Sequence, residues 1–375
     1  MRQEIKEKMN IELLHSEALI EDLRRRKFTG LVKITTWEGE DYIPIYEGEV
    51  QKIYIITKGG MEETSYTSYG FPQTGVVEII ETDVVSLMNG LREDFDPESA
   101  GPLALAGYGE EFQPTTPALH VDINHFIGLA HRSHFNGYLL FHTQREPLGM
   151  VVFYNGEVVG VFAPGRAGER AQNYISMNLK GSLVSIFLLD SEFVPLLLAM
   201  GRIEKIKGGK IMNREELNVV REDAVARRMN ALLYHDGGRV KKYYQFFYKG
   251  HEVKGILQEL FSMEDVPQES VDFPGEFALY PLYVDTEPRP ISLSLRPVPE
   301  VIDSVSPERL AELKDAFVDE MGPVGNIIWK KVLEGFGWTE EAVPISRLEE
   351  FIKRLAEEIP YKEHREAFLK RVRRS

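Results

Sequence analysis

Five of the nine histidines crowd into 23 residues, at His120, His125, His131, His134 and His142. Imidazole is a frequent metal ligand, and His131 and His134, three apart near the end of an expected helix with Asp122 nearby, could face one ion. A metal centre also needs a third ligand on a rigid element and outer partners that orient the rings. No HExxH or HxH pattern supplies them. The competing reading places these side chains at a helix C-terminus and on polar surface, where a protonated ring is favoured. No metal ligand is assigned on this spacing.

Glycine-rich stretches raise phosphate chemistry. Pro164-Gly165-Arg166-Ala167-Gly168-Glu169-Arg170 precedes an expected helix, whose first amides could hold an anion with Arg166 assisting. It lacks the Lys-Ser/Thr of a P-loop, as does Gly208-Gly209-Lys210, and glycine serves strand-to-helix turns in any case. Two basic runs, Arg24-Arg25-Arg26-Lys27 and Lys370-Arg371-Val372-Arg373-Arg374, could meet an acidic partner or a nucleotide phosphate, or simply complete a helix macrodipole. The Asp/Asn-x-Ser-x-x-Gly strand that a cyclic-dinucleotide receptor would place after the first run is missing. Nor is there a Gly-x-Ser-x-Gly elbow, a kinase signature or a dinucleotide fingerprint. The sequence therefore predicts no catalytic residue, no cofactor and no enzyme.

The whole chain narrows the classes further. It has 375 residues, 44 Lys plus Arg against 59 Asp plus Glu, a formal charge of −15 and no cysteine. Without Cys, disulfide frameworks, thiolate zinc sites, iron–sulfur clusters and thiol nucleophiles are excluded. The acidic balance speaks against nucleic acid and against an anionic membrane, both of which recruit basic faces. Charged residues break up Met1 to Ile20, so no signal-peptide core is expected, and no apolar run reaches the length of a bilayer span. A cytoplasmic location is expected.

Self-similarity organises the rest. Phe28-Thr29-Gly30, Glu47-Gly48-Glu49-Val50 and Thr74-Gly75-Val76-Val77, leading to Asp83, return as Phe135-Asn136-Gly137, Asn155-Gly156-Glu157-Val158 and Lys180-Gly181-Ser182-Leu183, leading to Asp190. A more worn third series reads Met229-Asn230-Ala231, Tyr248-Lys249-Gly250 and Pro274-Gly275-Glu276-Phe277, leading to Asp285. The first steps between these landmarks are 18, 19 and 19 residues, and the second 27, 25 and 25. Ahead of each series, apolar residues fall at helical spacing: Leu14, Ala18, Leu19 and Leu23, then Ile123, Phe126, Ile127 and Ala130, then Leu217, Val220 and Ala224. Strand-like runs follow, joined in the third series through Asp236-Gly237-Gly238.

The pattern predicts an α+β unit: a helix, an antiparallel three-stranded meander, a helix (near Glu169 to Leu179 and Gly255 to Phe261) and a closing strand. The units are expected in tandem over 11–93, 119–203 and 214–298. Asp94 to Ala118, with four prolines and three glycines, has linker composition, as does Val284 to Pro299. The tail, 306–375, is expected to form a small bundle of four short helices. Gly322-Pro323 separates the first two, and Ser346 with Glu349 forms a capping box.

Arg26-Lys27-Phe28-Thr29-Gly30, Tyr46-Glu47-Gly48-Glu49-Val50, and Phe153-Tyr154-Asn155-Gly156-Glu157-Val158 with Gly168-Glu169-Arg170-Ala171 resemble the PATAN family, named for the N-terminal domain of PatA-type response regulators. The resemblance covers roughly 11–90 and 119–197, and in part 214–285. Lys58-Gly59-Gly60-Met61 stands where the Gly-x-x-Ala helix start would fall in the first copy. The resemblance implies a bacterial signalling module that binds other proteins, beside response regulators or small-GTPase systems, without catalytic residues. The tail, with Trp329-Lys330-Lys331 and Arg365-Glu366-Ala367-Phe368-Leu369, is similar to a helical domain at the C-terminus of some bacterial signalling proteins.

The leading expectation is thus a non-catalytic interaction scaffold, whose copies present similar surfaces to a partner with repeated epitopes. Its candidate contacts are Trp37 in a turn of the first copy, Arg24, Arg25, Arg26 and Arg166. Partners would be signalling proteins or further copies of this chain. A small-ligand or nucleotide sensor, with a pocket between copies near Arg166 and the histidines, is the second reading. An enzyme with an unrecognised site is the third.

Overall fold

Runs rich in Val, Ile, Tyr and Phe pair into three antiparallel sheets, because side chains of that shape pack well on a pleated surface. The computed structural model describes residues 3–13, 15–92, 96–267, 271–295, 305, 307–336, 343, 348–359 and 361–372. It divides into two units, Met1–Pro297 and Val298–Ser375.

In the first unit, Gln3–Asn10 (β1), Ser16–Arg25 (α1), Gly30–Thr35 (β2), Gly39–Tyr46 (β3), Glu49–Val50 (β4), Ile53–Thr57 (β5), Gly60–Thr64 (β6) and Val76–Thr82 (β7) come first. They give a sheet of order β1-β7-β2-β3-β5-β6, with β4 on β3. Val84–Leu91 (α2) and Pro97–Ala100 (α3) follow. Glu110–Pro117 (β8), Ile123–Ser133 (α4), Gly137–His142 (β9), Pro147–Tyr154 (β10), Glu157–Ala163 (β11), Arg166–Ala167 (β12), Glu169–Asn178 (α5) and Leu183–Leu188 (β13) give the order β8-β13-β9-β10-β11-β12. After Val194–Ala199 (α6), the third sheet takes Lys207–Ile211 (β14), Ala231–Asp236 (β15), Lys241–Tyr248 (β16), His251–Glu259 (β17), Ser262–Asp265 (β18) and Gly275–Pro281 (β19), with Arg214–Ala226 (α7) after its first strand. Its order is β14-β19-β15-β16-β17-β18. In each sheet the first strand lies beside the last, and the central hairpin comes next.

One corner recurs. The helix ahead of each central hairpin ends at a left-handed residue, Lys27, His134 or Arg228, each with φ of 51°. The next amide, of Phe28, Phe135 or Met229, then reaches back 3.0 Å to the carbonyl of Leu23, Ala130 or Ala224, the long bond that closes a helix C-terminus. The carbonyls of Phe28, Phe135 and Met229 accept the N–H of Gly48, Gly156 and Gly250 at 2.8, 2.9 and 3.0 Å. Beside them the Thr29 hydroxyl and the Asn136 and Asn230 amides accept the N–H of Glu47, Asn155 and Lys249 at 3.1, 2.8 and 2.7 Å. Both residues of each turn, Glu47-Gly48, Asn155-Gly156 and Lys249-Gly250, have positive φ, as a tight two-residue hairpin demands. A Cβ on Gly48 or Gly156 would stand 2.6 or 2.5 Å from a carbonyl oxygen at the end of the helix.

Two expectations are corrected. The helix expected near Gly255 to Phe261 is instead the end of β17 and its turn into β18, paired with β16 on one side and β18 on the other. Ile256, Leu257 and Gln258 are all buried, so the ribbon is covered on both faces and its polarity does not alternate. In the first sheet β6 begins within Lys58-Gly59-Gly60-Met61, where the second copy has its Gly-x-x-Ala helix start. The stretch 94–118 is no linker: Leu103, Ala104, Leu105 and Ala106 are buried in a core shared with α2 and the second and third sheets. The Tyr138 hydroxyl fixes that run, donating to the Tyr108 carbonyl at 2.6 Å and accepting from Gly107 N–H at 3.0 Å. Buried Arg92 donates to the Leu103 and Ala104 carbonyls at 3.2 and 2.9 Å and to Gln258 Oε1 at 3.4 Å. The sequence pattern predicts none of the strands β1, β8 and β14, which open each sheet.

The second unit holds Pro307–Met321 (α8), Gly325–Phe336 (α9), Leu348–Glu358 (α10) and Lys362–Val372 (α11). Trp329 and Phe351 meet edge-on at 5.2 Å in its core, beside Phe317 and Phe368. A single turn, Gly322–Val324, parts α8 from α9. Leu14, Ser346, Arg373 and Arg374 lie outside the described residues.

Candidate functional site

The turn between β2 and β3 is set by Thr36, whose Oγ1 accepts the N–H of Glu38 and of Gly39 at 3.2 Å each. Gly39 is required where the chain turns back, since a Cβ there would lie 1.9 Å from the Ile56 carbonyl oxygen. Trp37 is left at the tip, 84% exposed. Behind it is a cleft of about 330 Å³ lined by Trp37, Asp41, Ile55, Tyr69, Pro72 and Gln73 among others. The Tyr69 hydroxyl donates to Asp41 at 2.5 Å. Burial pushes the Asp41 carboxyl above its usual range while that bond pulls it back, and burial with the adjoining Asp41 raises the Tyr69 phenol. Tyr66, Tyr69 and Phe71 pack against the core of the first sheet, so the wall facing Trp37 is anchored.

The other sequence-predicted residues lie elsewhere. Arg24, Arg25 and Arg26 precede β2 whereas Trp37 follows it, so strand length separates them. Their charges are met locally: Arg25 and Arg26 by Asp22, Arg24 by Glu49 at 3.8 Å and Arg26 also by Glu7 at 4.0 Å. Arg166, on the second sheet, rests its guanidinium over the Tyr174 ring at 4.5 Å and donates to the Pro164 carbonyl at 3.0 Å. It lines a cleft of about 280 Å³ that shares Phe162, Ala167, Gly201 and Arg202 with a larger one of about 480 Å³. Val159, Gly160, Phe162 and Leu198 floor the larger cleft, and Arg202, Tyr283, Asp285 and Arg289 charge or polarise its rim. Among the described residues neither Arg202 nor Arg289 is ion-paired, an arrangement suited to an anion with an apolar body. Sequence reasoning missed Arg202, Arg289 and the Asp41–Tyr69 pair, because nothing in their local spacing marks them.

The histidines do not converge. Among the described residues no three His, Asp or Glu side chains gather as a metal site would require. His120, His125, His131 and His134 are exposed, His131 Nδ1 lies 2.8 Å from Glu157, and His134 is the left-handed cap of α4. His142 departs from the surface reading. It is fully buried, with Nδ1 2.7 Å from the Thr143 carbonyl and Nε2 3.0 Å from Ser185 Oγ. A carbonyl only accepts, so Nδ1 carries the proton and Nε2 accepts from Ser185. Ser185 in turn meets Thr115 Oγ1 at 2.7 Å.

Residues 308–375 match a domain of unknown function (DUF8082). Over 375 residues, 99% of this chain and 97% of its own length, an uncharacterized protein of Aquifex aeolicus (strain VF5) is 22% identical.

Burial lowers His142 from 6.5 to about 4. Between those values the unfolded chain takes up a proton that the folded chain refuses. The neutral ring's contribution is therefore complete above pH of about 6.5 and lost as pH falls toward about 4. Denaturant unfolding at pH 7 and 4.5 is expected to show a fall in stability that shrinks by about 2 kcal/mol in His142→Phe. An identical fall in parent and variant would contradict the assignment.

Proposed function

We propose that the chain is a non-catalytic interaction scaffold of bacterial signal transduction, working beside response-regulator or small-GTPase systems in the cytoplasm. The first unit is built from three tandem copies of one PATAN-like module. Their common strand order and the thrice-repeated corner support the duplication. The observation that carries the docking reading is Trp37. A tryptophan 84% exposed on a turn held by side-chain hydrogen bonds buries almost nothing in the folded chain. It has the type and setting of an interface anchor: a large rigid side chain over a preformed cleft. Partners are proteins, and a formal charge of −15 disfavours nucleic acid and anionic membrane.

In affinity capture from the native host, Trp37→Ala is expected to reduce the retained partner at least about tenfold, while the melting temperature stays within about 1 °C of the parent. Unchanged capture would sink the reading. So would a melting temperature lowered by more than about 5 °C, which would mark Trp37 as a structural residue.

A second reading, a small-ligand sensor, is favoured by the cleft of about 480 Å³ with Arg202 and Arg289 at its rim. It differs from the expected pocket in that no histidine lines it. Nucleotides at millimolar concentration would then raise the melting temperature of the parent and leave Arg202→Ala unmoved. No rise in the parent would remove this reading.

A further inference from the structure

The second sheet leaves part of one edge open. β6 and β18 cover five residues of β5 and four of β17, whereas β12 covers only Phe162 and Ala163 of β11. Toward the start of β11 the chain's own segment Pro288-Arg289-Pro290-Ile291-Ser292-Leu293-Ser294-Leu295 lies against that edge. Ile291 N–H donates to the Val158 carbonyl at 2.8 Å. From α5, Gln172 Nε2 donates to the Ser292 carbonyl at 3.0 Å, and its Oε1 accepts Ser294 N–H at 3.0 Å. A single side-chain amide thus satisfies backbone groups two residues apart, in a segment that forms no strand or helix of its own.

The aliphatic side chains alternate. Leu293 and Leu295 are half-buried against a core made by Ala171 and Ile175 of α5, Val158 and Val161 of β11 and their neighbours. The serines between them are exposed. A backbone bond to an open strand edge, with Leu293 and Leu295 packed on one side of the segment and Ile291 left 37% exposed, follows the terms on which an added strand is recognised. A tether joining two units needs neither the amide clamp nor the register.

We propose that the open edge of β11 and Gln172 form a docking site for an extended protein segment with aliphatic residues at alternate positions, of the form Ile-x-Leu-x-Leu, and that 288–295 occupies it in cis. A partner segment binds when this strap is released. The site is on the second sheet and is independent of the docking reading built on Trp37.

The test uses the full-length chain carrying Leu293→Asp and Leu295→Asp, and a fluorescein-labelled peptide of residues 286–295. In fluorescence polarisation the variant is expected to bind the peptide saturably, at least about tenfold more tightly than the parent, whose site is filled. Adding Gln172→Ala should weaken that binding about tenfold, through loss of the two bonds its side-chain amide makes to the segment's backbone. Hydrogen exchange at the Ile291 and Ser294 amides should quicken in the variant. A folded variant that leaves the peptide free, or binds it equally with and without Gln172, would overturn the proposal. Should the double variant fail to fold, Gln172→Ala alone in the parent must speed exchange at both amides, and unchanged exchange there would overturn the proposal equally.

Discussion

A helix carbonyl, one left-handed residue and one glycine decide where each helix sits on its sheet. At Leu23, Ala130 and Ala224 the helix ends by accepting an amide from five residues on, and the same residue's carbonyl receives the hairpin glycine. The glycine is confined twice, by positive φ and by the helix end that its hydrogen atoms approach. Thr29, Asn136 and Asn230 close the corner from the side. Helix, strand start and turn are fixed together within a few residues, and core packing then completes the sheet.

That arrangement separates what must be kept from what can vary. The corner sits where β2, β9 and β15 begin, and the turns at their far ends carry no part of it. Those far turns differ: Thr36–Gly39 with Trp37 in the first sheet, Thr143–Glu146 in the second, and the Gly237–Gly238 turn in the third. The edges differ as well: the last hairpin partner covers five residues in the first sheet, four in the third and two in the second. Surface chemistry is thus concentrated on loops and edges that the fold leaves unconstrained.

The corner was legible in the sequence because glycine and Asn at fixed spacing have few other uses. The helices ahead of it were legible from their apolar period. What escaped was whatever depends on distant neighbours. The β17 run Ile256-Leu257-Gln258 is covered on both faces, so no alternation identified it as strand. The prolines of 97–117 suggest a linker, yet Pro97 and Pro102 start short helical turns around an Ala/Leu run buried in a core with α2, α6 and the second and third sheets. The arginines at 24–26 looked available, but Asp22, Glu49 and Glu7 neutralise them. Arg202 and Arg289 meet at one cleft from segments far apart in the chain, and no local pattern could join them. The alternation of Ile291, Leu293 and Leu295 was visible, and the surrounding prolines masked it as linker composition.

The corner itself is the most direct object of measurement. Denaturant unfolding of Gly48→Ala, Gly156→Ala and Gly250→Ala, with exposed and uncrowded Gly70→Ala as the reference, isolates its contribution. The expected result is a loss of about 2–4 kcal/mol in each corner variant and little change at Gly70. Corner variants that unfold together with the parent would contradict the account.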